Sequence, residues 1–310
     1  MSSVSALHIE RTPDKPGPGP TPAALLRALE VKVRRRAQGL LPGEPRAAGF
    51  GAGTELAQIR PYVSGDDVRH IDWNVTARVR EPHVRVHVPE RALTSWVLLD
   101  SSPSMSFGTA DRRKVDVSEG VAIALGHLLT RRGNRLGVLT FGGPEPRMLP
   151  PRQGRPGLLG LLAAVREDPA PDGAGTTSLG EALSRAGAIA RQRGVMVVVS
   201  DFRGPRDWRD PLLRLRARHE ILAVEIRDPR EQELPAMGEL WLVDPETGRQ
   251  LRVDTNRRVV RERFAREAAD ERATLSTELQ KAGADHVVLS TKGDWLRDLA
   301  RFLNRPRGRA

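Results

Sequence analysis

The chain has 310 residues, 39% hydrophobic and only 4% aromatic, which is enough to bury one sizeable core packed mainly from Leu, Val and Ala. It contains no cysteine, which excludes disulfide frameworks and cysteine-held zinc or iron–sulfur centres and fits a reducing cytosol. The net charge is +11, but only five of the 50 basic residues are lysines and the arginines are scattered through every segment, so charge alone does not define a nucleic-acid-binding stripe.

The opening MSSVSALHIERTPDKPGPGP lacks the charged and apolar regions of a secretory signal, and residues 1–21 read as a disordered, Pro- and Gly-rich lead. No apolar run reaches the roughly 18 residues that a membrane-spanning helix needs, so no membrane insertion and a cytoplasmic location are expected. Residues 22–91 read as an amino-terminal helix followed by a β-rich region. Leu25, Leu26, Leu29 and Val33 share one face of a helix over 22–40. The basic run Lys32-Val33-Arg34-Arg35-Arg36 reads as the solvated face of that helix, with a phosphate-binding patch as the alternative. Residues 41–53 are loop. The glycines of GFGAGTEL (49–56) follow no apolar strand and open no clear helix, so they lack the context of a phosphate loop.

From Glu55 to Arg91 the pattern is short strands and tight turns. Ser64-Gly65-Asp66-Asp67 is a turn, and Val84, Val86 and Val88 alternate with Arg85 and His87 as in a half-buried strand. His83 and His87 have a zinc spacing only on a helix; on a strand they stand about 13 Å apart, too far to share an ion. Ile59, Tyr62, Val68, Ile71 and Trp73 are expected to bury apolar surface against the α/β domain, with Arg60, Asp66, Asp67 and Asp72 holding turns or ion pairs and a partner-docking face as the alternative for these charges.

Residues 92–305 change texture. Apolar runs at 94–100, 135–141, 195–201, 220–226 and 285–290 alternate with helical patterns near 112–131, 155–166, 178–192, 207–218, 257–282 and 294–303. That alternation predicts an α/β domain with a doubly wound, mostly parallel sheet and helices on both faces. GELWLVD and RQLRVD flank the turn Pro245-Glu246-Thr247-Gly248 and form a small inserted β-hairpin near 239–253.

Two of these strands end in a carboxylate: Asp100 after TSWVLL and Asp201 after VMVVVS. Ligands of open parallel sheets sit beyond the carboxyl ends of the strands, where the strand order reverses. In Asp100-Ser101-Ser102-Pro103-Ser104 alternate side chains can turn to one point, and oxygen donors of this kind suit hard cations such as Mg²⁺. Helix capping explains any one of these residues alone, but not their joint order and context.

This Asp100–Ser104 segment resembles the D-x-S-x-S loop of the metal-ion-dependent adhesion site of von Willebrand A domains. GTTSLGEAL supplies the T-x-x-G part at Thr177–Gly180, with Thr176 as the competing neighbour, and VVVSDF supplies the final carboxylate. The resemblance implies that Ser102, Ser104 and Thr177 contact an Mg²⁺ or Mn²⁺ ion or lie beside it, while Asp100 and Asp201 hold its waters. A wider resemblance rests on GTELAQIRPYVSGDDVRHIDWNVTAR, PHVR, the loop from Asp100 to Gly108, SDF, DPETG and GDWL, and covers about residues 30–305. These segments are similar to the bacterial family called domain of unknown function 58, which carries a von Willebrand A-like domain. That resemblance implies a non-enzymatic, cation-dependent protein-binding module. It would contact an acidic residue of its partner and serve as adaptor or co-chaperone to a MoxR-type AAA+ ATPase.

Two alternatives belong to other classes. Asp100 at the end of a first strand also suits a phosphotransferase nucleophile, although the second acid such enzymes place two residues later is here Ser102. A nucleic-acid binder would rest on charge alone. There is no G-x-S-x-G elbow and no Walker loop.

Overall fold

A computed structural model describes residues 14–15, 17–20, 55–88, 93–130, 134–143, 145–165 and 178–304. The helix expected over 22–40, the Lys32–Arg36 run, most of the glycine-rich stretch at 49–56, and both Thr176 and Thr177 lie outside these residues. The chain divides into two compact units, Leu41–Ala92 and the remainder.

In the smaller unit, β1 (Glu55–Pro61) pairs antiparallel with β2 (His83–Val88). His83 and His87 are therefore on a strand. Between the strands lies a helix, α1 (Trp73–Val79), where the sequence reading had only strands and turns. Its cause is local: the Asp72 carboxylate accepts the N–H groups of Asn74 and Val75, and Arg80 ends the helix at φ 64°. The acidic residues hold turns and pairs as expected. Asp66 takes both guanidinium nitrogens of Arg60 at 2.7 Å, Asp67 caps a short 3₁₀ turn, and Asp72 also takes Arg85 at 2.8 Å. Ile59, Val68 and Trp73, expected to be buried, are 37, 60 and 70% exposed.

The larger unit is built on a six-stranded sheet of β3 (Thr94–Asp100), β4 (Arg135–Phe141), β5 (Met148–Gln153), β6 (Gly194–Ser200), β7 (His219–Arg227) and β10 (Asp285–Ser290). Its spatial order is β10-β7-β6-β3-β4-β5, all neighbours parallel except β5, which runs antiparallel on the edge. This is the von Willebrand A-like doubly wound, mostly parallel sheet anticipated from the sequence. The strand β5 has no counterpart among the apolar runs of the sequence. Pro150 and Pro151 lack the N–H a central strand must donate, and an edge strand is where sheets tolerate that loss. The strands β8 (Glu239–Val243) and β9 (Gln250–Asp254) form the expected hairpin.

Helices α2 (Lys114–Leu129), α3 (Gly154–Val165), α4 (Leu179–Ile189), α5 (Arg209–Arg216), α6 (Arg258–Lys281) and α7 (Trp295–Asn304) cover the sheet. Along β3, Val97 and Leu99 join one core with Val117, Val121, Leu125, Leu161 and Leu299. Trp96 and Leu98 join the other, with Leu183, Leu212 and Leu279. A strand buried on both faces cannot alternate in polarity, which is why its sequence is one apolar run. Part of the lead expected to be disordered is described and held: Trp295 Nε1 donates to the Pro18 carbonyl at 2.9 Å, and the Lys15 N–H donates to the Asp111 carbonyl at 2.8 Å. A largely buried indole N–H needs an acceptor, and the lead supplies it.

Candidate metal site

Strand order reverses between β3 and β6, which lie side by side with Leu99 level with Val199. β3 continues into β4 and β5 on one side, β6 into β7 and β10 on the other, so the crevice expected at such a switch point opens beyond Asp100 and Ser200. Asp100 ends β3 and Asp201 follows β6, one on each side of the crevice.

The loop after β3 folds back on its own carboxylate. Asp100 Oδ1 accepts the Ser102 N–H at 2.9 Å, and Oδ2 accepts the Ser200 hydroxyl at 2.5 Å. A short 3₁₀ turn, Pro103–Ser106, then brings Ser104 Oγ to 3.1 Å from Ser102 Oγ. Asp100, Ser102, Ser104 and Asp201 are all at most 5% exposed. Gly142, just after β4, closes the crevice at φ +78°; a Cβ there would stand 3.0 Å from Asp100 Oδ1 and from the Ser102 nitrogen. The fifth expected residue, Thr177, lies outside the described residues. Its neighbour Ser178 caps α4, and Asp207 accepts both the Ser178 hydroxyl (2.9 Å) and the Gly180 N–H (3.0 Å). Gly180 is required there, because a Cβ would come within 2.7 Å of Asp207.

The two carboxylates are electrostatically unlike. Burial and then the neighbouring charge of Asp201 push Asp100 up to about 7, against the pull of the Ser102 and Ser200 donors. Burial acts on Asp201 in the same direction. There the Lys114 ammonium, with the Ser104 hydroxyl and the Arg203 N–H, outweighs it and holds the carboxyl below its usual range.

Sequence reasoning did not single out Lys114. It is 0% exposed, and its Nζ donates to Asp201 Oδ2 at 2.5 Å and to Glu231 Oε1 at 2.7 Å. Burial would lower its pKa, but these two carboxylates raise it, so it stays an ammonium. Arg203 adds a second cation 3.3 Å from Glu231. Ser200, Glu231 and Asp228 were also missed. Asp228, fully buried, ties the ends of two strands to the loop before α2 through Thr291 Oγ1 (2.7 Å), Thr109 N–H (2.8 Å) and Thr109 Oγ1 (2.6 Å).

Among the described residues no three or more His, Cys, Asp or Glu cluster as metal ligands. The donors here are of another kind, two hydroxyls between two carboxylates. Oxygen-only sets of this sort are taken by Mg²⁺ or Mn²⁺, which retain several waters. Asp100 fits such an ion on one further ground: the hydrogen bonds it accepts come from neutral groups, so its buried charge has no bonded counter-ion of the kind Lys114 gives Asp201.

The molecule is therefore an α/β protein with a von Willebrand A-like sheet and a buried carboxylate–hydroxyl cluster at its switch point. It belongs to the family described as Protein of unknown function DUF58, whose pattern matches residues 58–274. An uncharacterized protein of Mycobacterium tuberculosis (strain ATCC 25618 / H37Rv) is 39% identical over 292 residues, 93% of this chain and 91% of that one. Looser structural similarity extends to BatB from Bacteroides thetaiotaomicron, with 14% identity, a TM-score of 0.44, and 68% of this chain and 97% of that one covered. It extends also to the SpRpn10 VWA domain, with 16% identity, a TM-score of 0.37, and 67% and 94% covered. Among the described residues no helix is long and apolar enough to cross a membrane.

Proposed function

We propose that the chain is a non-enzymatic protein-binding module whose contact runs through a divalent cation, Mg²⁺ or Mn²⁺. Ser102, Ser104 and Thr177 would contact the ion directly and Asp100 and Asp201 would act through its waters. The observation that carries this reading is the buried pair of hydroxyls 3.1 Å apart, placed between two carboxylates at the strand-order reversal. A cation held largely by neutral hydroxyls keeps a strong pull on an incoming anion, and a protein carboxylate matches a hard ion where a thiolate does not. The partner is then a protein presenting an acidic residue. Family resemblance nominates a MoxR-type AAA+ ATPase in the cytoplasm, with this chain as its adaptor or co-chaperone.

Binding is favoured over phosphoryl transfer by the surroundings of Asp100. A nucleophile must be reachable and such enzymes place a second acid two residues later, whereas Asp100 is 4% exposed, hydrogen-bonded on both oxygens and followed there by Ser102. Calorimetric titration with Mg²⁺ and Mn²⁺ should show binding that Asp100→Asn abolishes. A pull-down against the ATPase should succeed with Mg²⁺ and fail both with chelator and with Ser102→Ala plus Ser104→Ala. A complex that forms equally in all three conditions refutes the cation-bridged mechanism.

A further inference from the structure

The segment Asp244-Pro245-Glu246-Thr247-Gly248 has no role in the site as described so far, yet its geometry is tightly specified. It is the turn between β8 and β9. Asp244 Oδ1 accepts the Glu246 N–H at 3.1 Å, Asp244 Oδ2 accepts the Thr247 hydroxyl at 2.5 Å, and the Gly248 N–H reaches the Asp244 carbonyl at 2.7 Å. Gly248 sits at φ +69°, a conformation that side-chain-bearing residues rarely adopt. A turn fixed at this many points also fixes the direction of the side chain between them.

That side chain points inward. Glu246 is 9% exposed, whereas Trp241 and Leu251 on the same hairpin are 44 and 59% exposed. Its Oε1 accepts the N–H of Ser104, 142 residues away in the chain, at 3.4 Å. Burying a carboxylate costs free energy that a solvated glutamate avoids. A two-stranded hairpin is also marginal alone, so its tip needs an anchor. One anchor is the backbone of a residue whose hydroxyl belongs to the proposed ion site.

We propose that Glu246 is the chain's own carboxylate ligand for this site, seated where a partner's acidic residue would otherwise bind. The inference rests on the cation-site reading above. Glu246 offers the same hard oxygen donor as a partner's Asp or Glu, and its tether keeps it at high effective concentration. Lone carboxylates therefore compete poorly. A partner must present its acidic residue on a surface that also displaces the hairpin tip. Glu246 thereby sets specificity: it rejects free acids and admits a folded acidic surface.

The test uses the full chain and three readouts. Hydrogen exchange of residues 244–248 should slow in Mg²⁺ relative to chelator. Mn²⁺ affinity, followed by its electron paramagnetic signal, should fall by about 10-fold in Glu246→Gln, the lower end of the losses seen when groups supporting a metal are removed. At saturating Mn²⁺ the peptide acetyl-Gly-Glu-Gly-amide should bind Glu246→Gln more tightly than the wild type, because its competitor is gone. Suppose instead that Glu246→Gln binds Mn²⁺ like the wild type and the turn ignores the cation, while Ser102→Ala plus Ser104→Ala loses Mn²⁺. The cation site then stands and the role of Glu246 is overturned. A wild type that binds no Mn²⁺ overturns both.

Discussion

Replacing Lys114 with Met keeps the length and apolar stem of the side chain and deletes one charge that is entirely out of water. Two carboxylates then lose their closest cation, Asp201 at 2.5 Å and Glu231 at 2.7 Å, with side chains only 3 and 11% exposed. Removing one member of a buried ion pair typically costs about 3–5 kcal/mol, because the survivor stays buried and uncompensated. Glu231 keeps Arg203 at 3.3 Å, so protonation of Asp201 alone limits that cost: holding one carboxyl with a reference pKa near 3.9 neutral at pH ~7 takes about 4 kcal/mol at roughly 1.36 kcal/mol per unit. The two limits agree, so Lys114→Met should lower stability by about 4 kcal/mol, or Tm by roughly 8–16 °C for a unit of this size. Circular dichroism melts in chelator measure this directly. Adding Asp201→Asn to Lys114→Met should recover part of the loss, because it removes a charge the first change stranded. A single variant that melts with the wild type would refute the claim that this ammonium neutralises the site.

Three further outcomes follow from other parts of the molecule. His219 is 3% exposed and its Nε2 donates to the Ala190 carbonyl at 3.0 Å; burial foremost holds its pKa below the usual value. The unfolded chain therefore takes up this proton first, so stability should be full above about pH 6.5 and decline as pH falls below it. His219→Gln should flatten that decline in urea midpoints measured against pH, and an unchanged slope assigns it elsewhere. Gly142→Ala forces a side chain into φ +78° and against Asp100, so it should destabilise by about 1–2 kcal/mol in urea unfolding. Asp72→Ala removes the cap of α1 and the partner of Arg85, so amide exchange at Asn74 and Val75 should accelerate while the six-stranded sheet keeps its protection.

The α/β unit was legible because its physics is periodic. TSWVLLD and VMVVVSD are continuous apolar runs since both faces of β3 and β6 are covered, and each run ends in the carboxylate that the switch point then brings together. What escaped were features that local pattern does not encode. β5 carries Pro150 and Pro151 because it is an edge, and edge position is a property of the sheet rather than of the segment. The helix α1 is seven residues long, too short to show a face, and only Asp72 marks its start. Lys114 left one unused signal: it falls on the same helical stripe as Val117, Val121 and Leu125, all buried, so a lysine there had to find carboxylates. Which carboxylates it found, 87 and 117 residues away, is information that only the fold holds.

The unequal treatment of the two site carboxylates leads to a last prediction that separates folding from ion binding. Asp201 belongs to the frame, since it shares Lys114 with Glu231. Asp201→Asn leaves that buried ammonium short of a carboxylate and should cost about 3 kcal/mol, the low end for a broken buried pair because Glu231 remains. Asp100 accepts its hydrogen bonds from neutral groups, the Ser102 N–H and the Ser200 hydroxyl. An asparagine can accept the first through its oxygen, while its amide donates to the second once that hydroxyl turns. Burial and the charge of Asp201 already disfavour ionised Asp100, so Asp100→Asn relieves a repulsion and should fold as stably as the wild type or more so. It should nevertheless lose Mn²⁺, because the carboxylate without a bonded counter-ion is the one a cation has most to gain from. Melting curves and Mn²⁺ titrations of the two variants decide the matter together. If Asp100→Asn unfolds as readily as Asp201→Asn, or binds Mn²⁺ undiminished, then Asp100 is part of the frame and the division of roles drawn from its hydrogen bonds is wrong.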